Sequence, residues 1–318
     1  MSRIKFLDNA EEGKNNWLRY LFTIILTWGT PLVLEFVIII FISILYMVVS
    51  GVNSVDQIYA IFSDPILGIA IIGLSSTVSL LFLYIGVKFI HGRKFISLIN
   101  TGSKIKWRRV LKGSAIWFLI LVIGTLISLI IDPNSVQVTF NPSTFIFLLI
   151  LSLLVFPIQA SFEELFFRGY LMQGFGILTK KPVIPLLLTS VIFAALHFGN
   201  GSTTIMNVDI VLSVFLFGLT MGIITLGENG IETAMGVHII NNIYVSVLVN
   251  TPDAYSQGLP SVLTSTGAPD PLIDVPIFAL YVLALLTIVF WNKKENLYNI
   301  FRGKLDIETD TMEGDLNA

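Results

Sequence analysis

Two adjacent carboxylates followed by an arginine stand out in an otherwise apolar stretch, Ser161-Phe162-Glu163-Glu164-Leu165-Phe166-Phe167-Arg168-Gly169. Neighbouring residues on an α-helix are rotated by about 100°, so Glu163 and Glu164 point in different directions, while Arg168 lies one turn on from Glu164 and on its face. The spacing divides the roles: Arg168 can hold Glu164 in an ion pair, and Glu163 is left to act as a general base. A second place is Phe193-Ala194-Ala195-Leu196-His197, an aromatic ring one turn before an imidazole. A third is His238-Ile239-Ile240-Asn241-Asn242, where imidazole and carboxamide at i and i+4 share a helix face. Each has an ordinary explanation too: charges at a helix end among headgroups, an interfacial histidine, or a polar pair joining two helices. Together they carry more, because the chain has three histidines and two of them fall in these segments. Two carboxylates, two imidazoles and an amide can form one polar chamber. There Glu163 can deprotonate a water while His238 and Asn242 donate to an oxyanion, a layout suited to amide hydrolysis. The same donors also suit a divalent metal such as Zn2+. No His-Glu-x-x-His helix chooses between these chemistries, and there is no Gly-rich phosphate loop or Gly-x-Ser-x-Gly elbow.

Such a chamber needs helices to build it, and the composition says where those helices lie. Of 318 residues only 13% are charged and 54% are hydrophobic, with a mean hydropathy of +0.84, so much of the outer surface must face lipid. A net charge of −2 gives no basic excess for phosphates, which excludes nucleic acid as the expected partner. The absence of cysteine excludes disulfides, thiolate nucleophiles and Cys-ligated metals. Eight apolar runs approach the length needed to cross roughly 30 Å of hydrocarbon: 32–50, 65–90, 114–131, 144–160, 183–198, 208–226, 231–250 and 272–291. Lys and Arg gather in alternate connections: seven in 91–113, Lys180 and Lys181, then Lys293, Lys294, Arg302 and Lys304. The connections 51–64, 133–143, 199–207 and 251–271 contain none. The expectation is an all-α, polytopic cell-membrane protein with about eight transmembrane helices and both termini cytoplasmic. Residues 1–31 read as a solvated leader and an interfacial segment, without a cleavable signal, and 292–318 as a flexible acidic tail.

The ordered set Glu163-Glu164-x-x-x-Arg168, Phe193-x-x-x-His197 and His238-x-x-x-Asn242 resembles the CAAX protease and bacteriocin-processing family of intramembrane proteases. The resemblance covers about 144–250; the three spans in 32–143, and 251–291 with the last helix, resemble nothing beyond generic membrane helices. It implies a membrane endopeptidase acting on a peptide or protein. It further implies that Glu163 and His197 activate water, that His238 and Asn242 stabilise the oxyanion, and that Glu164 and Arg168 support the site. Gly218-x-x-x-Gly222 also fits the family's spacing, although close helix packing explains such a pair equally well. The family is labelled metalloprotease, so Glu163, His197 and His238 are candidate ligands for a metal such as Zn2+, beside a metal-free relay. Two rivals stand next to the protease: a non-catalytic bacteriocin self-immunity protein, and a proton-coupled transporter. Simple filling of each run would put His197 nearer the outer end of its span than Glu163 and His238, while Glu35 in the first span has no family role. Substrate identity and oligomeric state are not legible.

Overall fold

The computed structural model describes residues 5–51, 54–179, 181–251, 254 and 258–302. Arg3, Lys180 and the tail from 303, with Lys304, lie outside the described residues. Among the described residues six helices are long and apolar enough to cross a membrane: α1 Trp17–Ser50, α2 Pro65–Ile90, α3 Trp107–Ile131, α4 Pro142–Leu178, α6 Thr204–Glu228 and α8 Pro271–Val289. The other two expected runs form shorter helices, α5 Val183–Ala195 of 13 residues and α7 Glu232–Ile243 of 12. Three of the long helices start alike: Asp64, Asn141 and Asp270 each accept a backbone N–H with the side chain, and proline follows at the first helical position. Proline gives up a donor there that would have no helical partner, and its fixed φ suits the first turn.

The ends differ from the expected bounds. The Gly29/Pro31 pair does not break α1, because a wide π-type turn over Ile25–Gly29 precedes Pro31 and carries the helix through. The expected solvated leader is packed in its described part: Phe6 and Ala10 are fully buried, Asn9 Nδ2 donates to the Ser97 and Asn100 carbonyls, and the Phe6 amide donates to Asn229 Oδ1. The expected flexible tail begins with a helix, Lys294–Arg302, whose Ile300 is buried and whose Asn296 Nδ2 donates to the Gly227 carbonyl. Apolar side chains and capping donors hold both segments against the helix ends.

A small sheet departs from the all-helix expectation. β1 Val136–Val138 pairs antiparallel with β3 Leu263–Ser265, and β2 Val249–Asn250 pairs with β3 in parallel. It ties two of the connections that lack Lys and Arg, 133–143 and 251–271, to the end of α7. The core lies where α3, α4, α6 and α7 meet, around Trp117, Phe162, Phe167, Phe193 and Phe217. Helices α3 and α7 approach closely through glycine: a methyl group on Gly236 would overlap the Val110 carbonyl, and one on Gly113 the Thr233 carbonyl. Ser114 Oγ donates to the Gly236 carbonyl at 2.8 Å across the same contact. These contacts fix the height of His238, two residues further along α7. Large apolar side chains such as Leu32, Phe36, Ile130 and Leu153 are exposed, as lipid-facing residues should be.

Candidate active site

Helix α4 carries the acidic motif in an unusual stretch of backbone. Pro157 has no N–H for the Leu153 carbonyl, and the helix widens into π geometry over Leu165–Leu171, immediately after Glu164. Single wide turns of this kind re-aim side chains and recur at functional sites. Glu164 and Arg168 are 0% and 1% exposed and form an ion pair, Arg168 Nη1 to Glu164 Oε1 at 2.9 Å. Arg168 Nη2 also donates to the Gly218 carbonyl at 3.1 Å, and its guanidinium lies 4.5 Å from the Phe193 ring centre. A methyl group on Gly218 would lie 3.2 Å from Phe193 Cδ1 and 3.3 Å from Arg168 Nη2, tighter than ordinary contact. Glycine here lets α6 come close enough to accept from the buried arginine.

His238 stands between the two glutamates. Its Nδ1 is 2.8 Å from Glu164 Oε1, an oxygen that already accepts from Arg168. A carboxylate held in this way accepts, so Nδ1 carries a proton. Its Nε2 is 3.5 Å from Glu163 Oε2, which is buried and has no hydrogen-bond partner. The other oxygen, Glu163 Oε1, accepts from Gln159 Nε2. Gln159 Oε1 accepts in turn from Asn242 Nδ2 at 2.7 Å, Asn242 Oδ1 from Asn241 Nδ2 at 3.2 Å, and Asn241 Oδ1 from Trp117 Nε1 at 3.1 Å. The sequence reading gave Gln159, Asn241 and Trp117 no role. Gln159 was within reach, four residues before Glu163 and on its face; Trp117 was not, since nothing in the sequence pairs α3 with α7.

His197 follows a short helix. α5 ends at Ala195, about 20 Å from its start at 1.5 Å per residue, and His197 lines the same cavity as Glu163 and His238. His197 Nδ1 is 2.8 Å from the Phe193 carbonyl; a carbonyl only accepts, so Nδ1 is the donor and Nε2 is left for the cavity. The Phe193 ring stands between the two imidazoles, 4.6 Å from His197 and 5.9 Å from His238. Glu163, His197, His238 and Asn242 line one cavity of about 530 Å3, while Glu164 and Arg168 lie behind it and Glu35 does not reach it. Asn200 and Thr251, from connections that hold no Lys or Arg, also line it.

A metal finds carboxylate and imidazole donors here, but not a converged set: no three His, Asp or Glu side chains come together among the described residues as a metal would require. Each imidazole commits Nδ1, to Phe193 or to Glu164, and leaves Nε2 open, so it is the lack of three converging donors and not the hydrogen bonding that counts against an ion. As arranged the residues do not fit a metal ion.

With this geometry, residues 142–244 match the family described as "Type II CAAX prenyl endopeptidase Rce1-like". The chain belongs to that family. It is a multi-pass membrane protein of an intramembrane-protease kind, and its family implies a peptide substrate. The matched region runs from the start of α4 past the end of α7 and contains every residue of the acidic, Phe-His and His-Asn motifs; α1 to α3 and α8 lie outside it. The chain is also similar to "Uncharacterized protein YyaK" of Bacillus subtilis (strain 168), 32% identical over 287 residues that cover 90% of this chain and 95% of the relative. No solved structure matches.

Proposed function

We propose that this protein is a membrane-embedded endopeptidase that hydrolyses a peptide bond with water activated by Glu163 and His197, without a metal, in a chain that crosses the membrane eight times with both termini cytoplasmic. The observation that carries this reading is Glu163 Oε2, buried and unpartnered in a cavity, facing His238 Nε2 at 3.5 Å. A water between Glu163 Oε2 and His197 Nε2 meets two acceptors, and Glu163 takes its proton as the oxygen attacks the carbonyl carbon. His238, protonated on Nε2 and braced through Nδ1 by Glu164, donates to the carbonyl oxygen as it becomes an oxyanion. Asn242 Nδ2 keeps a second N–H for the same oxygen after donating to Gln159. Glu163 then returns its proton to the leaving amine as the carbon–nitrogen bond breaks. Arg168 keeps Glu164 ionised and placed, which keeps His238 a donor.

Cleavage of a quenched-fluorescent peptide library by detergent-purified protein tests the reading. Glu163→Gln is expected to lower turnover about a thousandfold, within the range for a lost general base, with the protein still inserted in the membrane. Turnover retained in that variant would falsify the assignment. Chelator is expected to leave the rate unchanged; loss restored by zinc would replace the metal-free relay with ligation by Glu163, His197 and His238. A Glu163→Ala variant without turnover that still protected cells against a bacteriocin would instead favour the immunity role.

A further inference from the structure

The cavity that holds the catalytic groups continues past them along α6, where Met206, Asp209, Ile210, Ser213, Val214 and Phe217 line it. These residues recur at three- and four-residue steps, so they form one helix face. Phe217 marks the catalytic end, its ring centre 5.3 Å from that of His238. Asp209 lies eight residues toward the helix N-terminus, about 12 Å along the axis at 1.5 Å per residue. Beyond it the space opens into a side lobe of about 290 Å3 that Asp209 shares with Thr251, Asp274 and Tyr281.

Asp209 Oδ1 is buried and has no hydrogen-bond partner. Its acidic neighbours are satisfied by backbone donors: Asp270 Oδ1 accepts from the Leu272 amide at 3.0 Å, and Asp274 Oδ2 from the Asp270 amide at 2.8 Å. Among the described residues no Lys or Arg lines either part of the cavity, and the flanking connections 199–207 and 251–271 contain none. A carboxylate oxygen buried in a largely apolar cavity without a cation is costly to hold, so its partner has to arrive from outside the chain. We propose that Asp209 determines specificity by receiving a lysine or arginine side chain of the peptide substrate, a reading that rests on the endopeptidase assignment above. An extended peptide advances about 3.3 Å per residue, so 12 Å corresponds to three or four residues. A long basic side chain lying along that path covers part of the distance, which puts its Cα one to three residues from the scissile bond.

The test uses the best-cleaved peptide from the library, with Lys, Arg, norleucine or Glu placed in turn at each of the three positions on either side of the scissile bond. Unaltered protein is expected to prefer Lys or Arg over norleucine at one of these positions by about tenfold to a hundredfold in kcat/KM, as for a desolvated hydrogen bond between charged groups. Asp209→Asn is expected to bring the Lys-to-norleucine ratio close to one, and Asp209→Lys to raise Glu above norleucine, a reversal that a merely structural residue would not produce. A substrate profile of the unaltered protein with no basic preference overturns the assignment even if neither variant folds, and so does a ratio that survives Asp209→Asn. Cleavage without such a preference overturns the Asp209 assignment alone, whereas no cleavage of any peptide by the unaltered protein overturns the endopeptidase reading and takes this one with it.

Discussion

Gln159 links the amide side of the site to its base: it donates to Glu163 Oε1 and accepts from Asn242 Nδ2. Without it Glu163 loses the contact that fixes its rotamer, while Asn242 is free to turn away. Hydrogen bonds to charged groups contribute about 1.5–3 kcal/mol, so Gln159→Leu is expected to lower kcat by about tenfold to a hundredfold while KM changes little. Steady-state kinetics on the same peptide checks this, and an unaltered kcat would show that Glu163 is positioned without its neighbour. The motif residues were legible because ionisable side chains are costly at membrane depth and rare in this chain. Their spacing also gave the division between Glu163 and Glu164, since one turn of helix fixes the Glu164–Arg168 pair. What stayed hidden was the order of the hydrogen bonds. His238 was expected as an oxyanion donor beside Asn242 and as a candidate metal ligand with Glu163, yet its two nitrogens face the two glutamates, a relation between α4 and α7 that no spacing along one helix encodes.

The elements hold a second set of polar contacts where α2 ends, and here burial gives a pH dependence. His91 is fully buried; its Nδ1 donates to the Lys14 carbonyl at 2.9 Å, its Nε2 accepts from the Tyr170 hydroxyl at 2.8 Å, and its own carbonyl accepts the Lys14 amide at 2.8 Å. Arg93, Arg19, Tyr20 and Tyr170 surround the ring. Burial, and then the Arg93 and Arg19 guanidiniums, hold the imidazole below its ordinary value of 6.5, against the opposing pull of the Lys14 carbonyl. A folded pKa below the unfolded one means the detached state binds the proton more readily. The clasp on the N-terminal segment is therefore complete above about pH 6.5 and weakens as pH falls below it. The chain has no cysteine, so a single Ala10→Cys substitution at a fully buried position reports detachment. Its alkylation rate, divided by that of a free thiol peptide at each pH, is expected to rise from pH 7 to pH 5, and to lose this dependence in a His91→Gln background. A flat ratio in the parent would remove the clasp. The sequence reading placed this segment in solvent because six charges lie among its first 16 residues; a short stretch with Phe6, Leu7 and Ala10 on its buried side is too brief for periodicity to reveal.

At the scale of the whole molecule, hydropathy and charge fixed the kind of protein while leaving the geometry of the crossings to packing. Among the described residues six apolar helices reach 18 residues or more, but α5 and α7 carry much of the site and fall below that length, α7 although its apolar run is 20 residues long. Neither needs to span hydrocarbon alone, since α5 packs on α6, and α7 lies against α3 and α4, so protein neighbours cover the backbone at their ends. They were legible as apolar and illegible as short, because a hydropathy window registers only what a segment is made of. Their counting as crossings is what sets the orientation. If both cross, the total is even, both termini share a side, and every Lys-rich connection is cytoplasmic; if α5 instead enters and leaves on one side, the parity changes, the connection 251–271 falls opposite 133–143, against their pairing across β1 and β3, and the basic C-terminal residues fall outside, against the charge rule. Single cysteines at Ser135 and Gly267, each in the cysteine-free chain, are expected to react with a membrane-impermeant maleimide added to intact cells. Cysteines at Lys104 and Trp291 are expected to stay protected until the membrane is opened. Labelling of Trp291→Cys in intact cells would place the C-terminus outside and reduce the crossings to an odd number. The small sheet sharpens this test, since Val136 and Ser265 are paired across β1 and β3, so the labels at 135 and 267 must report the same side whatever that side is.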